Sequence, residues 1–231
     1  MVKYRAVLAL DLDGTLTPIR SSWRYLHIAL GSYIRASGYS TLFRRGFITY
    51  DEWVYLDLSL WRGIALTTID RLLRQVPWRP GAEKLRELRN QGIYTVVVTG
   101  GLEPLARRAV KELELDDYIA VVPEVDPAGR LTGFSRSYID FHGKGDAVLN
   151  YLDERRLTEL PLIAAGDSDN DIDMFKVSNY SIAFCPDNDL VSAEADRVVN
   201  DCRIDVLVEE VLNFTNTIYK SRSRLDTRSR V

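Results

Sequence analysis

Apolar positions follow two different periods along this chain, which predicts strands and helices in alternation. Short runs rich in β-branched residues, such as 93–99 (IYTVVVT), are typical of buried strands. Between these runs, apolar residues recur at three- and four-residue steps, as on the buried face of a helix. The repeated strand–helix units predict an α/β fold, a doubly wound parallel sheet with helices on both faces. The predicted strands are 5–11, 93–99, 119–123, 162–165 and 180–184, and the predicted helices are 82–91, 103–115, 145–154 and 171–177.

A helical segment interrupts this alternation between the first two predicted strands. One helix is predicted from apolar positions on a single face, namely Trp23, Leu26, His27, Leu30 and Ile34. Two further helices are predicted over 50–61 and 68–75, with Thr67 or Thr68 as the N-cap of the second. The segment ends at a rigid junction rich in proline and glycine, 77–81.

These patterns divide the chain into three parts. We predict a core formed by 1–17 and 80–215, with a small helical cap, 18–79, inserted into it. The remaining segment, 220–231, is basic, polar and without periodicity, so we predict a disordered tail there.

Composition and charge exclude several classes of protein. Apolar residues make up 46% and charged residues 27% of the 231 residues, as in globular proteins. The net charge of −3 argues against a nucleic-acid partner, and no apolar stretch is long enough to span a membrane. In the absence of a signal peptide, we expect a cytoplasmic protein in which Cys185 and Cys202 are free thiols. The oligomeric state stays open, with a homodimer among the alternatives.

Two carboxylates follow the first predicted strand in the sequence 11–17 (DLDGTLT). Side chains two residues apart on a strand point to the same face, so Asp11 and Asp13 can converge on one site. Two close carboxylates repel each other unless a cation or a shared proton compensates. The pair therefore predicts a metal site, a nucleophile with an acid–base partner, or both.

Three further segments lie at the ends of predicted strands or at the start of a helix. Thr99 and Gly100 end an apolar strand, where a hydroxyl and exposed N–H groups can hold a phosphate. Lys144 lies between two glycines at a helix start, from which it can stabilise a phosphate, although a lone loop lysine is more often solvated. The acidic run 166–171 (GDSDND) offers hard oxygen ligands that suit Mg²⁺, but such residues also cap helices.

The four segments, in this order, resemble the motifs of the haloacid dehalogenase-like (HAD) superfamily and its phosphoserine-phosphatase-like branch. The resemblance implies a Rossmann-like core with an inserted helical cap and phosphoryl transfer through an aspartyl-phosphate. It also implies that Asp11 is the nucleophile and that Asp13 is the general acid and base. The other implied roles are phosphate binding by Thr99, Gly100, Lys144 and Asn170, and Mg²⁺ binding by Asp11, the Asp13 carbonyl, Asp167 and Asp171.

One feature departs from this branch. Phosphoserine phosphatases recognise the substrate's amine and carboxylate with a glutamate after the first motif and an arginine in the cap. The corresponding positions here are Arg20 and, in a gap-free comparison, Asp57, so both charges are reversed. We therefore expect Arg20 and Asp57 to contribute to specificity for a substrate other than phosphoserine.

The sequence thus predicts a Mg²⁺-dependent phosphatase that hydrolyses a small phosphomonoester. The alternatives of the same fold are phosphoserine phosphatase itself and a phosphotransferase or phosphomutase, in which an acceptor hydroxyl replaces water. A signalling receiver also uses Asp, Thr and Lys on a parallel sheet, but it is about half this length and has no cap. A binding protein without catalysis is disfavoured because every catalytic position is filled.

Overall fold

The computed structural model describes residues 4–137 and 139–228, and the side chains of these residues as far as Tyr219. Its strands are β1 (Ala6–Leu10), β2 (Ile93–Leu102), β3 (Asp117–Val125), β4 (Leu131–Ser137), β5 (Leu162–Gly166), β6 (Tyr180–Phe184) and β7 (Arg197–Val199). They form one sheet in the order β4-β3-β2-β1-β5-β6-β7. Neighbouring strands are parallel, except that β3 and β4 form an antiparallel hairpin. The predicted α/β architecture is confirmed.

Ten α-helices accompany these strands in the described part of the chain. They are α1 (Ser22–Ala29), α2 (Tyr33–Arg44), α3 (Tyr50–Ser59), α4 (Leu66–Leu73), α5 (Arg86–Asn90), α6 (Glu103–Leu113), α7 (Lys144–Glu154), α8 (Ile172–Val177), α9 (Asp189–Ala193) and α10 (Ile204–Arg228). Helices α1–α4 lie between β1 and β2, where the helical insert was predicted. The predicted helix over 82–91 is split into a 3₁₀ turn, Ala82–Leu85, followed by α5.

The central strand β1 has apolar side chains on both of its faces. Leu8 and Leu10 belong to one buried cluster, whereas Val7 and Ala9 belong to a second cluster on the opposite face. Strands covered on both faces read as continuous apolar runs, which explains why β1 shows no polar alternation. The sheet therefore holds the residue after β1 in a rigid and buried position.

The insert shares the first of these clusters with the sheet. Leu26 of α1, Leu58 of α3 and Ile69 of α4 are fully buried in the cluster that also contains Leu8 and Leu10. Burying each such side chain contributes roughly 1.5–3 kcal/mol, so the cluster fixes the insert on the sheet.

Backbone hydrogen bonds also join the insert to the β3–β4 hairpin. Gly63 N–H donates to the Leu131 carbonyl, and Leu131 N–H donates to the Ile64 carbonyl, each over 2.8 Å. Leu66 N–H donates to the Gly129 carbonyl over 2.9 Å. The start of α4 is thereby fixed to the turn that closes the hairpin.

Two predictions within the insert are wrong in detail. The single helical face from Trp23 to Ile34 is interrupted, because α1 ends at Ala29 and Gly31 adopts a φ of 71°. Ile34 lies in the first turn of the next helix, α2, and is 88% exposed. The predicted threonine cap of the third helix is also wrong, since α4 is capped by Ala65.

The C-terminal helix α10 is not among the predicted helices. Helix α10 continues to Arg228, into the segment 220–231 for which we predict a disordered tail, and 229–231 lie outside the described residues. Propensity explains the difference, because arginine, lysine and leucine sustain a helix that packing has already started.

None of the helices described combines the length with the apolar composition that crossing a bilayer requires.

The prediction of free thiols is also wrong, since Cys185 and Cys202 form a disulfide. Cys185 follows β6, and its N–H donates to the Val199 carbonyl of β7 over 2.7 Å. This pairing brings the chain after β7 back beside Cys185, with the two cysteine Cα atoms 5.1 Å apart. A spacing of 17 residues along the sequence carries no sign of this proximity.

Breaking this disulfide is expected to lower the free energy of unfolding by about 3 kcal/mol, as the closure of a loop of this size predicts. Urea unfolding of the oxidised protein with and without reductant measures the difference. The Cys202→Ser variant should show the lower stability already and should not respond to reductant. Two titratable thiols in the denatured, unreduced protein would contradict the assignment.

Candidate active site

The predicted motifs meet at the carboxyl edge of the sheet, where the strand order reverses. Chain order runs outward from β1 through β2 in one direction and through β5 in the other. Asp11 follows β1, Thr99 lies in β2 after a register shift at Val98, and Asp167 follows β5. Ligands of open α/β sheets bind at this topological switch point.

Lys144 lies at the centre of the site. It is the first residue of α7 and is only 2% exposed. Its Nζ donates to Asp11 Oδ1 and, over 2.6 Å, to Asp171 Oδ1. A Cβ atom at the next residue, Gly145, would lie 2.6 Å from the Asp173 carbonyl oxygen, so glycine allows this helix start to approach α8. Lys144 is therefore a buried cation and not a solvated loop residue.

The charges in this cluster shift one another's pKa values. Burial disfavours the charged amine of Lys144, but the carboxylates of Asp11 and Asp171 outweigh it and raise the lysine's pKa. Burial, and then the neighbouring Asp171 carboxylate, raise the pKa of Asp11 well above its usual value, although Lys144 acts in the opposite direction. One ammonium thus serves two buried carboxylates.

Asp171 uses its two carboxylate oxygens for different contacts. Its Oδ1 accepts from Lys144, while its Oδ2 accepts from the backbone N–H groups of Asp167 (2.9 Å) and Ser168 (3.0 Å). Together with Ser168 it forms a capping box at the 3₁₀ turn before α8. Asn170, in the same turn, accepts from Ser168 Oγ over 2.8 Å.

Asp167 lies beside this cluster and has two further donors. Thr15 Oγ1 donates to its Oδ1 over 2.8 Å, and Arg20 Nη1 donates to its Oδ2 over 2.6 Å. Burial raises the pKa of Asp167 to about 7. Gly14 passes so close that a Cβ atom there would lie 2.3 Å from Asp167 Oδ2, and its φ of 91° also favours glycine.

Three of these carboxylates could hold a metal ion. Asp11, Asp167 and Asp171 are buried, and each offers one oxygen that lies within 4.8 Å of the others. Asp11 Oδ2 is buried and finds no hydrogen-bond partner among the described residues. Hard oxygen donors of this kind suit Mg²⁺.

Asp13, the second acid of the first motif, has different contacts. Its Oδ2 accepts from Ser22 N–H over 2.7 Å and from Ser22 Oγ over 2.5 Å. Burial raises the pKa of Asp13. In β2, Thr99 Oγ1 accepts from Gly101 N–H over 2.9 Å, and the Gly100 carbonyl accepts from Trp23 Nε1 over 2.8 Å. The start of α1 therefore contacts both Asp13 and the carboxyl-terminal part of β2.

The two predicted specificity residues lie in different surroundings. Arg20, whose side chain is 43% exposed, bridges Asp167 and Asp187 at the edge of the site. Asp57 is buried within the insert, with Oδ2 at 3.4 Å from His27 Nε2. Burial raises the pKa of Asp57. The structure thus brings Arg20 to the acids of the site, whereas the described contacts of Asp57 lie within the insert.

Sequence reasoning missed four residues of the site: Thr15, Ser22, Trp23 as a hydrogen-bond donor, and Asp187. Thr15 lies within the first motif, but the motif resemblance predicts no role for it. A signal existed for Ser22, because consecutive serines before a helical pattern are typical of a helix start close to the motif. Asp187 has no local signal, since it reaches Arg20 only through the fold.

Comparisons with known proteins agree with this geometry. The family model of haloacid dehalogenase-like hydrolases matches residues 8–176. A probable phosphoserine phosphatase of Schizosaccharomyces pombe is 28% identical over 183 residues, which cover 78% of this chain and 61% of that protein. A phosphoserine phosphatase of Lactococcus lactis is 27% identical, with 78% of this chain and 84% of that protein covered.

A solved structure of a phosphoserine phosphatase with an analogue of its phospho-aspartyl intermediate has a similar fold. Its TM-score is 0.73 at 21% identity, with 90% of this chain and 99% of that chain covered. The chain spans about three fifths of the length of the S. pombe relative. The family model covers most of the sheet and every motif from Asp11 to Asp171, so the chain belongs to the haloacid dehalogenase-like hydrolase family.

Proposed function

We propose that this protein is a phosphatase that hydrolyses a small phosphomonoester through an aspartyl-phosphate on Asp11. The observation that carries the proposal is the buried Lys144, which donates to Asp11 Oδ1 while Asp11 Oδ2 has no partner among the described residues. A fixed cation beside a carboxylate with one free oxygen suits attack on an anionic phosphoryl group. The family membership and the phosphoserine phosphatase relatives support the same chemistry.

The other polar groups of the site have complementary roles in this proposal. Asp13 protonates the leaving alkoxide and then takes a proton from the attacking water. Thr99, the Gly100 backbone, Lys144 and Asn170 hold the phosphoryl oxygens. The raised pKa of Asp13 supports its role, because an acid that donates a proton near neutral pH must retain it there.

The residues at this edge also fit the divalent cation that the family implies. Asp11, Asp167 and Asp171 would hold Mg²⁺, with the Asp13 carbonyl as the further ligand that the resemblance implies. When bound, the ion would screen the nucleophile from the phosphate and stabilise the transition-state charge.

The insert 18–79 is the proposed cap over this site, and Arg20 and Asp57 are its proposed specificity residues. Arg20 places a guanidinium at the site edge, which favours a substrate with a second anionic group. Asp57 acts from within the insert, beside His27. Phosphoserine phosphatase proper and a phosphotransferase of the same fold are the alternatives.

A cytoplasmic location and a small-molecule partner complete the proposal. The Cys185–Cys202 disulfide bears on the location, because reducing cytoplasm disfavours such bonds outside hyperthermophiles. Cell fractionation of the source organism would decide between the cytoplasm and an oxidising compartment.

Replacing the nucleophile is expected to abolish turnover. Asp11→Asn should lower Mg²⁺-dependent phosphate release from p-nitrophenyl phosphate by about 10³-fold or more, because removal of a nucleophile costs several orders of magnitude. EDTA should have a similar effect on the unmodified protein. The matched control is Asp146→Asn, which changes an exposed acid in the first turn of α7 and should leave turnover unchanged. Undiminished activity of Asp11→Asn would refute the proposed nucleophile.

The stability of the metal-free protein should depend on pH through Asp167. Its pKa is raised from 3.8 to about 7, so the native state favours the neutral acid. The corresponding stability is present below about pH 4 and is lost as the pH rises through 7. In EDTA, the melting temperature should therefore fall between about pH 4 and 7, and less so for Asp167→Asn. Above pH 7, Mg²⁺ should raise it in the unmodified protein. Parallel pH profiles of the two proteins would contradict this account.

The specificity proposal predicts that phosphoserine is not the best substrate. Arg20→Ala should raise KM about tenfold for phosphoglycolate relative to glycerol phosphate, because the first carries a carboxylate that the guanidinium can bind. The ratio of the two KM values cancels any effect on metal binding. Arg24→Ala, in the exposed first turn of α1, is the control. If phosphoserine ranks first in a panel of phosphomonoesters, phosphoserine phosphatase is the correct alternative.

A further inference from the structure

The acid–base residue of the proposed reaction is held by one residue of the insert. Ser22, the first residue of α1, is fully buried. Both its backbone N–H and its hydroxyl donate to the same oxygen, Asp13 Oδ2, over 2.7 and 2.5 Å. Two donors from one rigid residue fix the orientation of the carboxyl plane as well as its position.

These two bonds make the oxygens of Asp13 different from each other. Oδ2 accepts two hydrogen bonds, so its lone pairs are engaged by protein donors. Oδ1 is buried and has no hydrogen-bond partner among the described residues. A proton on this carboxyl group therefore belongs on Oδ1, which leaves Oδ1 as the oxygen that exchanges protons with a substrate.

The Ser22 hydroxyl has little freedom to adopt another orientation. A Cβ atom at Gly101 would lie 2.9 Å from Ser22 Oγ, 3.0 Å from Thr99 Oγ1 and 3.2 Å from Asp13 Oδ2. These three polar groups thus converge on a backbone position that only glycine leaves open. The neighbouring Trp23 donates to the Gly100 carbonyl, which fixes the start of α1 on the same part of β2.

We propose that Ser22 is a positioning residue, which directs the protonated Oδ1 of Asp13 toward the leaving oxygen of the substrate. This inference rests on the proposed phosphatase function. In the first step, Asp11 forms a bond to phosphorus, the bond between phosphorus and the leaving oxygen breaks, and the Oδ1 proton moves to that oxygen. In the second step, Asp13 accepts a proton from water as the water oxygen attacks phosphorus and Asp11 leaves.

A comparison of leaving groups tests this role. p-Nitrophenolate departs without protonation, whereas an alkoxide needs the general acid. Ser22→Ala should therefore lower kcat/KM for an alkyl phosphomonoester such as glycerol phosphate about tenfold more than for p-nitrophenyl phosphate. The quantity kcat/KM reports on the step in which the leaving group departs. A purely structural role for Ser22 would lower both values equally.

Two controls separate the contact with Asp13 from the integrity of α1. Ser21→Ala removes the N-cap of the same helix, where Ser21 Oγ accepts from Arg24 N–H over 3.1 Å, without touching Asp13. It should leave the alkyl-to-aryl ratio unchanged. In an Asp13→Asn background, the pre-steady-state release of p-nitrophenolate reports on the first step alone, which needs no general acid for this leaving group. Ser22→Ala should cause no further change in the rate of that release, because its effect passes through Asp13.

The outcomes distinguish this inference from the function on which it rests. Turnover with equal losses on both substrates, or an effect of Ser22→Ala that persists beside Asp13→Asn, would overturn the role of Ser22 alone. A well-folded unmodified protein that hydrolyses neither substrate would overturn the proposed phosphatase and, with it, the role of Ser22.

Discussion

The buried ion cluster around Lys144 is the interaction on which the rest of the site depends. Its ammonium group contacts Asp11 after β1 and Asp171 before α8, so one side chain joins the end of a strand to the turn that precedes a helix. Buried charges are costly unless they are paired, and removing the lysine would leave two carboxylates facing each other without water. Folding of this edge and assembly of the site are therefore the same event.

This cluster also leaves a charge imbalance. Among the described residues of the site, Lys144 is the one buried cation beside three buried carboxylates, and Asp167 pairs instead with the half-exposed Arg20. Burial first, and then this excess of negative charge, raise the pKa values of Asp11 and Asp167. Negative charge concentrated at the switch point of the sheet makes this edge receptive to a small, highly charged cation.

Much of the sheet and the grouping of the acids could be predicted from the sequence, because both depend on local signals. An apolar run that ends in Asp, Thr or Gly marks a strand end, and parallel strands bring their ends together. The burial of Lys144 could be proposed only through the order of the motifs, since a lysine between glycines looks like a surface residue. Tertiary contacts such as Ser22 with Asp13, or Cys185 with Cys202, join distant elements and leave no periodic trace.

The indole of Trp23 gives the molecule an intrinsic optical reporter of the site. It is stacked on Trp61, with ring centroids 5.5 Å apart, and its N–H donates to the Gly100 carbonyl in β2. The emission of an indole depends on the polarity around it and on its hydrogen bond. Any motion that lifts α1 from β2 would alter both the polarity and the hydrogen bond, so changes in the insert should be visible in the fluorescence of the unlabelled protein.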